Sequence, residues 1–234
     1  MKIAPLTTLP QSDILYPMQL IKASLIHRAV APRAGGSGPH PTLIMLHGRG
    51  ADENDLLGLT PHLDERLLII SARAPYPFGG DFGGYAWYDI EEIGTPKPEA
   101  FKHSLGLLKR FIGEVAAGYP ADPTRLYLMG FSMGTVMSYA AALAEPQMVS
   151  GVVAHSGYVP EVPGVTFKPE DLGGKCFFIA HGTYDRIIPV GLGRAARDLL
   201  AGTPAEVIYK EYPMDHQISE ESLRDLANWL QERL

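Results

Sequence analysis

An α/β protein with a mostly parallel central sheet and helices on both faces is the fold class this sequence predicts. Short apolar runs of strand length alternate with longer stretches of helical periodicity from residue 42 to the end. The turns between them are short and Gly-rich, as at His47-Gly48-Arg49-Gly50. Between Leu126 and Ala142 the chain passes from strand to helix almost without a loop, and Ser132 stands on the corner. A sheet of this kind presents its reactive groups at the carboxyl ends of its strands.

Taken in order, Leu15 to Arg28 alternates loosely and reads as an edge hairpin within residues 1–40, ended by the turn cluster Ala34 to Pro41. Thr42 to Leu46 is a fully apolar strand that runs into His47-Gly48-Arg49-Gly50 and an acidic helix start, Ala51-Asp52-Glu53-Asn54-Asp55. Leu67 to Ser71 forms the next strand. Ala72 to Pro98 reads as a long loop rich in Gly and Pro that carries Tyr76, Phe78, Phe82, Tyr85, Trp87 and Tyr88, a cargo suited to lining a pocket. Phe101, Leu105, Leu108, Ile112 and Val115 make one apolar stripe on a helix ending near Gly118. After the Ser132 strand and helix come strands at Val149 to Ser156 and Cys176 to Ala180, a helix at Val190 to Leu200 closed by Gly202, and a strand at Val207 to Tyr209. Ser219 is suited to cap the last helix, whose apolar face is Leu223, Leu226, Leu230 and Leu234.

The 234 residues, 46% hydrophobic, suffice for one large core, and no change of composition divides them, so a single domain over 1–234 is expected. A net charge of −6 with scattered Lys and Arg argues against a nucleic-acid surface, which needs a basic stripe. The single cysteine, Cys176, sits in an apolar run and reads as a buried small hydrophobe. The N-terminus, interrupted by Pro5 and Pro10, lacks the core of a signal peptide, and no run is long enough for a membrane span, so a cytoplasmic protein is expected.

Gly130 and Gly134 bracket the serine as G-x-S-x-G, because so sharp a turn brings neighbouring backbone too close for a side chain at either position. A serine hydroxyl needs a base within hydrogen-bond reach, and the base needs an acceptor that fixes its tautomer. His47, His155 and His181 lie at strand ends, but each precedes a tight turn whose backbone an imidazole commonly binds. His216, on the loop between the last strand and the last helix, is the better base. Asp185, after the Cys176 strand, completes the order Ser…Asp…His, while Asp215 is the rival acid, poorly placed to turn onto its immediate neighbour. The backbone N–H groups of Met133 and Arg49 are the candidate oxyanion donors. The Arg49 side chain is not needed for that role and is left to solvent or to an acidic group of the substrate. No H-E-x-x-H or paired Cys suggests a metal site.

Leu46-His47-Gly48-Arg49-Gly50, Gly130-Phe131-Ser132-Met133-Gly134, His181-Gly182-x-x-Asp185 with Pro189, and His216 together resemble the phospholipase/carboxylesterase family, which includes small esterases, lysophospholipases and acyl-protein thioesterases. The resemblance runs from about residue 40 to the end. It implies an α/β-hydrolase fold, a Ser132–Asp185–His216 triad, an oxyanion hole from Arg49 and Met133, no cofactor, and a small ester as substrate. It also implies that Trp87 and Tyr88 lie at the substrate, and it leaves a homodimer open. Many thioesterase members carry Leu where Arg49 stands and Gln where Met133 stands, so a carboxylesterase is expected first and a thioesterase or lysophospholipase second. A non-catalytic binding module on the same fold is the alternative of another class.

Overall fold

A computed structural model describes residues 18–80 and 83–234; the polar opening to Asp13 and the loop aromatic Phe82 lie outside the described residues. In chain order the elements are β1 (His27–Val30), β2 (His40–Leu46), β3 (Leu68–Ala72), β4 (Tyr76–Pro77), β5 (Tyr85–Ala86), β6 (Ile90–Glu92), β7 (Thr95–Pro96), α1 (Pro98–Gly118), β8 (Ala121–Phe131), α2 (Met133–Ala144), β9 (Gly151–His155), β10 (Cys176–Gly182), α3 (Val190–Ala201), β11 (Glu206–Tyr212) and α4 (Glu220–Gln231). The main sheet has seven strands in the order β1-β3-β2-β8-β9-β10-β11. Only β1 is antiparallel to its neighbour; the other pairings are parallel, as the strand–helix alternation requires.

The central stretches of the inner strands, such as residues 43–46, 126–129 and 177–180, are apolar because both faces of the sheet are covered there. Successive side chains point to opposite faces, so Ile44, Leu46, Leu126, Leu128, Phe177 and Ile179 pack with α1, α2 and α3. Leu43, Met45, Tyr127, Met129 and Phe178 pack with α4 and the 3-10 helix Asp55–His62 on the other side. Ser219 caps α4 by accepting from the Ser222 N–H while the Ser222 hydroxyl accepts from the Ser219 N–H, a reciprocal capping box. Cys176 is buried at the start of β10. Among the described residues no helix is long and apolar enough to cross a membrane.

Three expectations are corrected. The N-terminal segment is not a hairpin in its described part: β1 is a single edge strand on β3, while Ser24 donates its N–H to Glu114 of α1 at 2.6 Å and Leu25 is buried. The acidic stretch after Gly50 forms a 3-10 helix instead of an α-helix, with Pro61 inside it and Gly58 on it. Helix α3 is closed by Gly202 as expected, at φ −81° with its N–H on the Leu199 and Leu200 carbonyls, and the Thr203 hydroxyl donates to the Leu200 carbonyl at 2.7 Å. The segment from Ala72 to Pro98 is not structureless: β4 pairs with β5 and β6 with β7 as two small antiparallel hairpins.

Candidate active site

The corner between β8 and α2 is built by exclusion of side chains. A Cβ on Gly130 would overlap the backbone of Gly134 and Thr135, and one on Gly134 would overlap the carbonyl oxygens of Leu46 and His47. The two glycines thus let the helix start directly on the strand and against the end of β2. Ser132 between them is forced to φ 56°, ψ −118°, in the left-handed half of φ space that an L-residue seldom occupies. Its N–H donates to the His155 carbonyl at 3.0 Å, and its own carbonyl accepts from Thr135 and Val136, which leaves the side chain pointing away from these contacts at the helix mouth. The Thr135 hydroxyl donates to the same His155 carbonyl at 2.7 Å, so β9 grips the first turn of α2 twice.

The turn after β2 lies alongside. A Cβ on Gly48 would stand 3.4 Å from the Ser132 Cβ, so Gly48 flanks the serine closely. His47 is completely buried there. Its Nδ1–H donates to the Gly48 carbonyl at 2.7 Å and its Nε2 accepts from the Ala74 N–H at 3.0 Å, a pattern only the neutral ring can make. Burial lowers its pKa accordingly. The Gly50 N–H is held by the Tyr85 carbonyl at 2.8 Å, which straps the turn to the β4–β5 hairpin. Met133, the first residue of α2, carries one of the N–H groups that no intrahelical carbonyl can satisfy.

His216 and Asp185 meet from successive strand-end loops. His216 Nδ1–H donates to Asp185 Oδ2 at 2.8 Å, and Asp185 Oδ1 accepts from the N–H groups of Ile187 at 3.0 Å and Ile188 at 2.8 Å. Burial raises the Asp185 carboxyl, but the hydrogen bonds from His216 and the two backbone donors outweigh it and hold the pKa below the ordinary aspartate value. The His216 ring packs against Phe131, the residue before Ser132, with ring centroids 4.9 Å apart. Among the described residues Ser132 Oγ makes no hydrogen bond to a side chain, and the link between this corner and His216 is the ring of Phe131, the residue before the serine.

Asp215 does not reach the imidazole. Its Oδ1 accepts from the His216 and Arg186 N–H groups at 2.9 and 3.1 Å, and its Oδ2 accepts from Arg186 Nε at 2.9 Å. The Arg186 guanidinium and these backbone donors hold its pKa down at about 2. His155 and His181 are completely buried and bonded away from Ser132: His155 Nε2 to the Ser222 hydroxyl at 3.0 Å, and His181 Nε2–H to the Ile188 carbonyl at 2.8 Å. Burial and the nearby His181 and His216 push the His155 pKa down to about 3.

Trp87 and Tyr88, expected at the substrate, are a correction. Both are sealed in the core, at 0% and 2% exposure, and neither presents a surface to a ligand. Trp87 instead donates its Nε1–H to the His47 carbonyl at 3.0 Å and its backbone N–H to Met133 Sδ at 3.3 Å. Tyr88 packs on Phe101 of α1 with ring centroids 4.9 Å apart. Trp87 thus braces His47 and Met133, which flank Ser132, while Tyr88 anchors the segment to α1. This bracing and the Arg186–Asp215 clamp were missed in the sequence; for the clamp the only signal was that each member adjoins a candidate site residue.

The sequence pattern of the family described as Phospholipase/Carboxylesterase matches residues 29–234. A probable carboxylesterase, SOBER1-like, of Arabidopsis thaliana is 30% identical over 71% of this chain and 66% of its own length. Acyl-protein thioesterase 1 of Yarrowia lipolytica is 28% identical over 94% of this chain and 98% of its own. Among solved structures, a carboxylesterase from Mesorhizobium loti superposes with a TM-score of 0.80 at 21% identity over 92% of this chain and 98% of that one. The Bacillus cereus carboxylesterase gives 0.78 at 23% identity, over 90% and 95%. These likenesses carry the α/β-hydrolase architecture, and the sequence match extends from β1 to the last residue. The chain belongs to the phospholipase/carboxylesterase family.

Proposed function

We propose that the protein, one α/β-hydrolase domain over 1–234, is a serine hydrolase that cleaves carboxylic esters of short to medium acyl chain through an acyl-enzyme on Ser132. The observation that carries this reading is the 2.8 Å His216–Asp185 pair, whose imidazole packs on Phe131, the residue before a serine held in a strained corner. With Nδ1–H donated to Asp185, the lone pair of His216 Nε2 accepts the Ser132 proton as Oγ attacks the ester carbonyl. The N–H groups of Arg49 and Met133 hold the oxyanion of the tetrahedral intermediate, aided by the positive end of α2. The proton on Nε2 then passes to the departing alcohol, leaving acylated Ser132. A water, deprotonated by the same nitrogen, returns the serine and releases the acid.

Hydrolysis of p-nitrophenyl esters from acetate to palmitate, with wild type and Ser132→Ala side by side, tests it. Cleavage of short esters by wild type alone is expected, and equal inactivity of both proteins on every chain length would sink the esterase reading. A thioesterase is the second reading, favoured by the match of a thioesterase over nearly the whole chain; a higher kcat/KM on acyl thioesters than on matched esters would bring it forward. A cytoplasmic setting belongs to the same proposal and is checked by cell fractionation. Sedimentation of the purified chain decides between monomer and homodimer.

A further inference from the structure

Among the described residues four guanidinium groups lie over aromatic rings: Arg49 on Phe78 at 4.4 Å, Arg73 on Tyr85 at 4.6 Å, Arg197 on Tyr209 at 5.0 Å and Arg233 on Trp229 at 4.4 Å. Arg73, Arg197 and Arg233 each also hold a carboxylate, from Glu53, Asp198 and Glu206. Arg49 has no carboxylate at ion-pair distance among the described residues, although the chain carries a net charge of −6. It is exposed, and its neighbour Gly48 flanks Ser132.

The platform under Arg49 is built. Phe78 follows β4, its N–H donates to the Gly84 carbonyl at 2.9 Å, and the hairpin is tied to the turn by Gly50 N–H to the Tyr85 carbonyl and Tyr85 N–H to the Ala51 carbonyl, both 2.8 Å. A Cβ on Gly84 would overlap Gly50, so the two segments touch backbone to backbone. A guanidinium resting on an aromatic face keeps its planar fork oriented and loses less freedom when it takes a carboxylate.

Resting on the Ser132 reading, we infer that the site takes esters that carry a carboxylate a few bonds from the scissile carbonyl, and that the Arg49 side chain reads this carboxylate. The fork binds the carboxylate through paired N–H···O contacts while the Arg49 backbone N–H serves the reacting carbonyl. The residue thus sets specificity with its side chain and stabilises charge with its main chain.

Two matched pairs of substrates test the inference. On the acyl side, 4-nitrophenyl hydrogen adipate is compared with 4-nitrophenyl hexanoate; on the alcohol side, 3-acetoxybenzoate is compared with its methyl ester. The quantity read is the anionic-to-neutral ratio of kcat/KM within each protein, which cancels any change in the backbone amide. Wild type should favour the anionic member of at least one pair, and that pair tells which side of the ester the carboxylate occupies. The ratio should fall about tenfold in Arg49→Gln, recover in part in Arg49→Lys, and shrink in wild type as salt is raised. Phe78→Leu, which removes the platform but not the charge, should lower the ratio less. Wild type that cleaves the neutral esters through Ser132 with no preference in either pair, or a ratio unchanged in Arg49→Gln, overturns the inference and leaves the esterase reading standing. Failure to cleave any of the four esters removes both.

Discussion

Ser132 holds φ 56°, a conformation that costs an L-residue about 1–3 kcal/mol and is tolerated only because Gly130, Gly134 and the His155 carbonyl leave no other course. Glycine pays no such cost. Ser132→Gly and Ser132→Ala should both be inactive, and the glycine variant should be the more stable of the two by about 1 kcal/mol in urea titrations. His155 makes the opposite kind of statement. Its pKa is pushed down to about 3 in the folded protein, so between there and the ordinary value of 6.5 the unfolded chain binds a proton that the folded one refuses. Stability therefore rises with pH across that window and is lost on acidification; buried His47 and His181, also lowered, add in the same direction. The melting temperature should fall from pH 6.5 towards pH 4.5, and His155→Gln, though less stable at pH 7, should fall less steeply; parallel curves would show that His155 is not the group concerned. The triad candidates were legible residue by residue because each stands at a strand end in the order Ser132, Asp185, His216. The fate of Trp87 and Tyr88 was not, since a large aromatic fits equally a pocket wall or a core, and only the contact of Trp87 with a carbonyl forty residues away decides between them.

Two loops, one after β10 and one after β11, carry Asp185 and His216, the proposed acid and base, and they are joined twice. One link is Asp185 to His216; the other is Asp215 to Arg186, with the Asp215 carboxylate also accepting the His216 N–H. The second link bears on where His216 stands and not on its proton. Asp185→Asn should lower kcat by about 10³–10⁴ by favouring the wrong tautomer. Asp215→Asn, which keeps a shape able to accept but loses the charge, should cost about tenfold or less with the pH profile unmoved, because an exposed ion pair contributes little. An equal loss in both variants would make Asp215 a second acid and not a clamp. Apolar runs predicted β2, β3 and β9 well, since strands covered on both faces leave a continuous signal. They predicted only part of β8 and β11, where Asp122 to Arg125 and most of Glu206 to Tyr212 are incompletely buried and carry polar residues that no periodicity exposes. The hairpins β4–β5 and β6–β7 were invisible for a further reason: two-residue strands have no period, and β4–β5 is held by the turn at 48–51, far away in sequence.

At the scale of the whole molecule the sheet puts every candidate reactive group at one end, after β2, β8, β10 and β11, while the opposite ends carry Ser150, Lys175 and Arg125. That placement was legible from the strand–helix alternation alone, because parallel strands joined by helices all point the same way. What the alternation could not tell was which strands end the sheet. They are β1, four residues long with exposed Arg28, and β11, where Arg194 pairs with Glu211 at 2.7 Å and Lys210 with Asp225 at 2.8 Å. Unpaired strand edges recruit other edges, and shortness and charge are the usual defences. Both defences are here, one at each border. Replacing Lys210 and Glu211 together by valine should leave the folded chain recognisable by circular dichroism but make it scatter light on refolding at concentrations where the parent stays clear. The charged border of β11 thus governs not what the protein does but how crowded a solution it can inhabit, and whether a chain caught half-folded finds its own partner strand before it finds a stranger's.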